Sequence, residues 1–447
     1  MTALPDVPDG DALLRNATVP ACAVDGLPQA AAVDADGLTQ IDIAIRDGRI
    51  EAMGAPGNLI AKGLAEVDLD DGMVLPCFAD VHTHLDKGHI WPRTPNPDGT
   101  RPGAISAVAA DRAQSWSAVD VRARMDFALR CAYAHGTAAI RTHLDSTPPQ
   151  DAISWPVFEE LRAEWKGRIA LQASALDILP AYEDYGFAVS IADRVKAAGG
   201  ILGAVLNIQK NTDALLDKVI RLAIERDLEL DFHVDEMTDP EAKSFDAIAE
   251  ALIRSRYGRP VNVGHCCALA LRSDDEVDRA LDLAAEAQMR VAALPMCNMY
   301  LQDRSRTAAY VSAPRKTPRW RGVTILHEMK ARGIPVAVSS DNTRDPFYAW
   351  GDLDMTEVFT QAVRIAQLDH PVGDWPAAVA RTPADTMGAG DVGRLAAGGP
   401  ADMILFRARD WSEFLARPQR DRTVIRSGKA IDAVVPDYRE LDAAIGR

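Results

Sequence analysis

Short apolar runs alternate with segments of helical spacing through the middle of the chain. In residues 117–133, 214–226 and 275–288, apolar side chains recur every three or four positions, which is typical of an amphipathic helix. The runs between such segments are apolar throughout, which favours parallel strands buried on both faces. Eight such units predict an α/β fold, in particular a (β/α)8 barrel. A doubly wound sheet is the alternative, but no glycine-rich fingerprint of a dinucleotide-binding turn follows the first run. The runs are residues 73–81, 137–143, 168–176, 201–206, 228–233, 261–264, 290–295 and 334–339.

Both ends of the chain have a different, β-rich pattern. Residues 40–52 read QIDIAIRDGRIEA, two alternating strands joined by an Asp-Gly pair, which predicts a hairpin. Residues 401–406 predict a strand, and residues 422–431 predict a second hairpin that turns at a Ser-Gly pair. The sequence therefore places strand-rich segments on either side of the long α/β middle.

Composition narrows the class of protein further. The chain has 447 residues, a formal net charge of −16 and 47% hydrophobic residues, which excludes a disordered chain and argues against nucleic-acid binding. No apolar run approaches the roughly 18 residues of a membrane helix, so no membrane partner is expected. The first residues lack the features of a secretory signal, and six scattered cysteines without a CxxC pair are expected to be reduced, as in a cytoplasmic protein.

Histidines concentrate where the predicted strands end. Catalytic side chains of barrel enzymes lie at the carboxyl ends of the strands, so this placement is informative. Five of the nine histidines, and one aspartate, follow the first, second, fifth, sixth and eighth runs. They are His82, His84, His143, His233, His265 and Asp341.

These residues favour a divalent metal site. His82 and His84 lie two positions apart on a strand, so both imidazoles project from one face. Such a pair also occurs in loops and cores without a metal. The prediction of a metal site therefore depends on His233 and Asp341, which lie at the ends of later strands. Three imidazoles and one carboxylate suit Zn²⁺ or Fe²⁺ and leave room for a water.

Further polar residues at the strand ends are candidates for catalysis. Glu236 follows His233 by three positions, and a carboxylate beside the metal would shuttle a proton; a solvated loop glutamate is the alternative. His265 would bond the attacking water or a substrate oxygen, or else fill a core position. His143 and Asp145 fit a substrate-contacting or a purely structural role equally well.

The combination of HTHLD, HVDE, GHC and SSDNxxDP resembles the amidohydrolase superfamily, in particular its cytosine deaminase-like branch. The resemblance covers roughly residues 40–430. It implies a small-molecule substrate, a homo-oligomer, and a barrel of residues 75–384 with a small β-sandwich built from residues 1–74 and 385–447. It also implies one Zn²⁺ or Fe²⁺ per subunit, held by His82, His84, His233 and Asp341.

The same resemblance implies a mechanism. Glu236 would protonate a ring nitrogen of the substrate, while His265 and Asp341 would orient or deprotonate the metal-bound water. The resulting hydroxide would attack the amine-bearing ring carbon, and ammonia would leave. Binuclear relatives carry a carboxylated lysine at the end of the fourth strand; here Asn207 stands at that end and Lys210 falls three residues later, which disfavours two metals.

Departures from the cytosine deaminases affect the expected substrate. The glutamine expected after the third strand is missing, and Asp177 in that region would instead accept hydrogen bonds from an N–H-rich ring, or cap a loop. Asn342, which stands where a second aspartate is frequent, is a further candidate for contact with the substrate. Trp91 and Arg93 lie in a long segment after the first strand, where they would line the mouth of the site, Arg93 offering a bidentate fork, or pack within the loop.

The sequence therefore predicts a hydrolase that acts on a non-peptide C–N bond of a cyclic amidine. The expected substrate is a small aminated nitrogen heterocycle such as cytosine or a related pyrimidine or triazine-like ring. One alternative is hydrolysis of another C–N bond, in a cyclic amide or an N-alkyl amino-heterocycle. A barrel that binds a heterocycle without catalysis is a third reading, disfavoured because the full ligand set and Glu236 are present.

Overall fold

A computed structural model of the chain describes residues 10–60, 62–208, 210–304 and 317–446. Within these ranges, eight consecutive strands, β7 to β14, form two sheets, of order β7-β8-β9 and β10-β11-β12-β13-β14. Their bounds are β7 Phe78–Thr83, β8 Thr137–Asp145, β9 Ala170–Leu176, β10 Leu202–Leu206, β11 Leu230–Val234, β12 Val261–His265, β13 Met289–Ala293 and β14 Val336–Val338.

Two isolated bridges join these sheets into a closed ring. Ser174 pairs with Ile201 between β9 and β10, and Thr83 at the end of β7 pairs with Asp341 just beyond β14; both bridges are parallel. Every pairing from β10 to β14 is parallel as well. The predicted (β/α)8 barrel is confirmed, and its closure brings the carboxyl end of the first barrel strand beside that of the last.

Helices fill the connections between the barrel strands. Three of them match the predicted amphipathic segments, residues 117–133, 214–226 and 275–288. Their bounds are α1 Arg101–Ser115, α2 Ala118–Ala134, α3 Asp151–Glu164, α4 Tyr185–Ala198, α5 Thr212–Arg226, α6 Ser244–Ser255, α7 Asp274–Glu286, α8 Pro295–Leu301 and α9 Leu326–Ala331. Further along the chain lie α10 Met355–Ala366, α11 Arg381–Thr386, α12 Trp411–Ala416 and α13 Asp442–Ile445.

The chain ends build two more sheets, of order β4-β3-β1-β5 and β18-β17-β16-β6, and the pair β15-β2. Both predicted hairpins are confirmed, with Arg46 opposite Arg49 and Arg426 opposite Lys429. The two four-stranded sheets contribute to one apolar core, as a β-sandwich requires. The strands are β1 Ala12–Pro20, β2 Val24–Asp25, β3 Leu38–Arg46, β4 Arg49–Gly54, β5 Ala65–Asp68, β6 Val74–Pro76, β15 Leu395–Ala396, β16 Met403–Leu405, β17 Thr423–Arg426 and β18 Lys429–Ala430.

The first predicted barrel strand, residues 73–81, is two strands in the structure. Its first part, β6, pairs antiparallel with β16 in the sandwich, whereas its second part, β7, belongs to the barrel. The change of sheet falls at Cys77, directly after Pro76, which has no N–H to donate to a ladder. Because this run is apolar throughout, its sequence gives no sign that the strand changes from one sheet to another.

Two compact units divide the chain. One comprises the described residues of Met1–Asp80, Arg130–Ala139 and Asp354–Val435; the other comprises Val81–Leu129, Ile140–Leu353 and the described residues of Pro436–Arg447. The predicted domain boundaries after residues 74 and 384 stay a prediction. Among the described residues, no helix has both the length and the apolar character needed to cross a membrane.

Candidate active site

The barrel strands deliver the predicted histidines and Asp341 to one end. His82 lies in β7 and His84 directly after it, while His233 lies in β11. Asp341 follows β14, and its backbone N–H donates to the His82 carbonyl at 2.9 Å. Residues from the first, fifth and eighth barrel strands therefore meet because the ring is closed.

Side-chain atoms of these residues converge closely. Asp341 Oδ1 lies 3.2 Å from His84 Nε2 and 3.7 Å from His82 Nε2. His233 Nε2 lies 3.2 Å from His84 Nε2. Two overlapping groups could each hold a metal ion, with ligand atoms within 4.8 Å of one another. They are His82, His84, His143 and His233, and His82, His265 and Asp341.

The chemistry of this donor set fits a divalent cation. Both carboxylate oxygens of Asp341 are buried; the Cys297 thiol is a weak donor to this carboxylate, and burial raises the pKa of Asp341 to about 7. Burial, followed by the neighbouring imidazoles and Lys87, lowers the pKa of His84 and His233 well below its usual value, so both rings stay neutral, the form that binds metal. A buried carboxylate among neutral imidazoles needs a cation to offset its charge.

His265 ends β12 with its backbone in the left-handed region, at φ 70°. Its Nδ1 lies 2.9 Å from Asn298 Oδ1, so the ring donates from Nδ1 and carries its lone pair on Nε2. No described residue hydrogen-bonds to that Nε2, which is buried. The unusual backbone and the fixed tautomer suit a base that faces the metal group.

Glu236 lies two residues beyond β11 and is buried, with 6% of its surface exposed. Its Oε2 accepts a hydrogen bond from Arg101 Nε at 2.7 Å, and its Oε1 lies 3.8 Å from His265 Nδ1. Burial acts to raise the pKa of this carboxyl, but His265 in its protonated form and the Arg101 guanidinium outweigh it, so the pKa of Glu236 lies below its usual value. The group is an ionised carboxylate, ready to accept a proton.

His143, in β8, is a further imidazole of the cluster, with its ring centroid 4.1 Å from that of His82. Its Nδ1 lies 3.3 Å from the Thr83 carbonyl oxygen, and its Nε2 lies 3.3 Å from Asp231 Oδ1. Both ring nitrogens thus face protein oxygens, which orient the ring. The predicted substrate contact of His143 stays a prediction.

Lys87 and Asp145 form a buried pair near the histidines. Lys87 Nζ lies 3.0 Å from Asp145 Oδ1 and 5.4 Å from the centre of the Phe347 ring. Arg112 Nη1 bonds the other oxygen of Asp145 at 2.8 Å. Burial acts to lower the pKa of Lys87, but Asp145 and Asp86 outweigh it and raise the pKa, so the ammonium charge is fixed beside the site.

Asp177 and Asn342, both predicted to touch substrate, are buried. Thr147 Oγ1 donates to Asp177 Oδ1 at 2.5 Å, and no described residue bonds to Oδ2. Burial raises the pKa of Asp177 to about 7. Asn342 Nδ2 donates to Asp345 Oδ2 at 2.6 Å, which commits its amide to the loop. Of the residues that the structure describes, only Cys297 donates to Asn342 Oδ1, through its thiol at 3.6 Å, so the substrate contacts of Asp177 and Asn342 both stay predictions.

Of the two roles expected for Arg93, the contacts favour packing within the loop over a fork to substrate. Its guanidinium bonds Asp111 and Asp120, at 2.9 and 2.6 Å, and the Ala444 carbonyl at 2.9 Å. These partners engage all three of its nitrogens, which makes Arg93 a structural anchor. Trp91 is half-buried and donates its backbone N–H to the Arg344 carbonyl at 2.7 Å; a substrate contact of its ring stays a prediction.

Sequence reasoning missed Arg101 and Asn298, although each bonds a candidate catalytic residue. Arg101 and its partner Glu236 are 135 positions apart, and Asn298 and His265 are 33 apart. Neither residue stands in a motif, and no spacing rule connects such distant positions. Only the packed barrel shows these contacts, because Arg101 comes from α1 after the first barrel strand and Asn298 from α8 after the seventh.

Gly264 on β12 provides a test of this geometry. A Cβ at this position would lie 2.5 Å from His82 Cε1 and 2.8 Å from Nδ1, so the His82 ring would have to move. We expect Gly264→Ala to lower metal affinity about 10- to 100-fold, as loss of a ligand-orienting contact does, measured by metal titration. Gly390→Ala is the matched control, because its Cβ meets nothing within 4 Å. Equal metal affinity in both variants would contradict the position of His82.

Comparisons with known proteins agree with this architecture. A model of the amidohydrolase family matches residues 205–433. Pterin deaminase of Rhizobium rhizogenes strain K84 is 53% identical over 434 residues, covering 97% of this chain and 97% of that protein.

Two solved structures share the fold. The 5-methylcytosine deaminase of Klebsiella pneumoniae, solved with 5-fluorocytosine, matches with a TM-score of 0.77 at 22% identity, over 94% of this chain and 97% of that one. The N-isopropylammelide isopropylaminohydrolase of Burkholderia multivorans matches with a TM-score of 0.72 at 24% identity, over 94% and 98%.

Proposed function

Because the chain belongs to the amidohydrolase family, we propose that it is a mononuclear metal-dependent deaminase whose substrate is a pterin. The coarser prediction, a hydrolase that deaminates an aminated nitrogen heterocycle at a cyclic amidine, is confirmed by the relative that is 53% identical. The 53% identity over 97% of both chains is the observation that supports a pterin as the substrate. A pterin has an amine-bearing carbon between two ring nitrogens, so the predicted chemistry applies to it unchanged.

The metal ligands in this proposal are His82, His84, His233 and Asp341. Their buried, converging donor atoms support that set. A divalent ion held there supplies a water whose pKa is lowered toward neutrality and a positive charge that polarises the substrate. Zn²⁺ and Fe²⁺ both suit three imidazoles and a carboxylate, so either is proposed.

The chain's own groups move the protons. Glu236 Oε1 accepts a proton from the attacking water and passes it to the ring nitrogen next to the amine-bearing carbon, while the water oxygen bonds to that carbon. His265 Nε2 carries a lone pair, accepts the second proton from the hydroxyl group now on that carbon, and passes it to the amine. The C–N bond then breaks with its electron pair going to nitrogen, and ammonia leaves as the carbonyl forms. Each group works over one hydrogen bond, the range over which acid–base catalysis is effective.

We also propose a cytoplasmic location and a homo-oligomeric assembly. Four cysteines, Cys77, Cys266, Cys267 and Cys297, are buried free thiols, which supports a cytoplasmic protein. The homo-oligomer implied by the family resemblance is retained as a proposal. Small-molecule binding alone is set aside, because Glu236, His265 and the ligand set are all in place.

An ammonia-release screen tests the substrate. We expect pterin to exceed cytosine, isocytosine, guanine and amino-triazines by at least about 100-fold in kcat/KM, because a site that hydrogen-bonds a bicyclic ring rejects rings that leave its polar groups unpaired. Release of an alkylamine from an N-alkyl amino-heterocycle, with no ammonia from pterin, would establish the alternative C–N hydrolase. Any of the other rings, guanine included, that outperforms pterin would also refute the pterin proposal.

A further inference from the structure

Arg101 holds one oxygen of Glu236 and leaves the other to the reaction. Arg101 Nε donates to Oε2 at 2.7 Å, while no described residue hydrogen-bonds to Oε1. A buried carboxylate oxygen without a hydrogen-bond donor destabilises a protein, so its presence calls for a functional reason. His265 Nδ1 lies 3.8 Å from this oxygen, Oε1. Arg101 thus fixes Oε2 of Glu236, while Oε1 faces the catalytic histidine His265.

The start of α1 is built to hold Arg101 in place. Arg101 is the first residue of that helix, and the preceding Thr100 caps it by accepting a hydrogen bond from the Gly103 N–H at 3.1 Å. Asp98 Oδ1 accepts from Thr100 N–H and O–H at 2.8 and 2.6 Å. Asn96 Nδ2 donates at 2.9 Å both to the Thr100 carbonyl and to a carbonyl in the loop after β14. This turn therefore ties α1 to the segment that begins with the metal-binding aspartate.

Gly103 shows how tightly the turn packs. A Cβ there would lie 2.2 Å from Asp98 Oδ1 and 2.7 Å from Asn96 Oδ1. The helix can approach the turn only because position 103 has no side chain. A loosely placed, solvent-exposed arginine would need no such support, since surface ion pairs are worth little.

We propose that Arg101 is a positioning residue for deamination: it fixes the Glu236 carboxylate so that Oε1 meets the substrate ring nitrogen. This inference rests on the proposed function, in which Glu236 transfers the proton. The charge-assisted hydrogen bond from Nε sets the rotation of the carboxylate, which otherwise has several rotamers. A misplacement of about 1 Å at such a group lowers turnover about 100-fold.

Arg101→Ala tests the inference. We expect kcat to fall about 10- to 100-fold with KM within about threefold, because substrate binding does not depend on the orientation of Glu236. Arg101→Lys should recover part of kcat, and ethylguanidinium added to Arg101→Ala should restore part of it. Arg122→Ala, which removes a surface pair of the same 2.7 Å length to Glu164, is the matched control. Metal content and melting temperature should stay at the wild-type values.

A double variant separates positioning from a structural role. In a Glu236→Gln background, Arg101→Ala should have little further effect on kcat, because the group it positions no longer transfers protons. An equal loss in both backgrounds, or no rescue by lysine or ethylguanidinium, would overturn the inference. Failure of the proposed function gives a different result: either wild-type protein does not deaminate pterin, or Glu236→Gln alone leaves kcat unchanged.

Discussion

Replacing Glu236 with glutamine lowers kcat for deamination by about 10²- to 10⁴-fold, the usual contribution of a positioned acid–base group. Glutamine has nearly the same shape, and its amide oxygen still accepts from Arg101, so the side chain keeps its place. The amide cannot carry the proton to the ring nitrogen. We therefore expect the loss in kcat with metal content and KM close to wild type, measured by steady-state ammonia release and elemental analysis.

Glu229→Gln is the matched control for this variant. Glu229 directly precedes β11, at its opposite end from Glu236, and it also pairs with an arginine, Arg141, at 3.2 Å. It is half-exposed and lies at the amino end of the barrel strands, which serves stability rather than catalysis. If both variants lost activity equally, the effect would come from charge removal in general. Full activity of Glu236→Gln would exclude Glu236 as the proton carrier.

Sequence predicted the parts of the site that depend on local pattern. The two-residue spacing of His82 and His84 placed both rings on one face, and the barrel rule placed His233 and Asp341 at the same end. Each of these inferences needs only strand periodicity and chain order. The predicted fold followed in the same way, from apolar runs separated by helical segments.

Contacts that depend on how a helix packs could not be predicted. Arg101 and Arg112 lie 11 positions apart in α1, about three turns, so they share one face of the helix. One bonds Glu236 after the fifth barrel strand, and the other bonds Asp145 at the end of the second. Helical periodicity relates the two arginines to each other, but only the packed barrel shows which carboxylates they reach.

Arg93 shows the same limit for a loop residue. The sequence left open whether Arg93 lines the mouth of the site or packs within its loop, and α1 and α2 bring Asp111 and Asp120 to it. Two carboxylates near an arginine outcompete a substrate for its donors. Loop residues are therefore the weakest part of a prediction from sequence, because their partners are chosen by tertiary packing.

Replacing Asp341 with asparagine removes the one carboxylate of the proposed ligand set, and we expect this to be the largest effect of all. A metal stabilises the transition state by several kcal/mol, so its loss should lower turnover by about 10³- to 10⁵-fold. Metal bound per chain, measured by elemental analysis after dialysis, should fall well below that of the wild type. Asp217→Asn, which breaks an exposed pair with Arg254, is the control and should change neither quantity.

The same variant separates loss of metal from loss of fold. The Asp341 carboxylate is buried, its Oδ1 lies 3.2 Å from His84 Nε2, and burial raises its pKa to about 7. An asparagine amide at that position donates to this neutral ring nitrogen and carries no charge to bury. Metal-free Asp341→Asn should therefore melt at or above the temperature of metal-free wild type, although it is inactive. A lower melting temperature would mean that the carboxylate stabilises the fold without metal, and retained metal with full turnover would exclude Asp341 as a ligand.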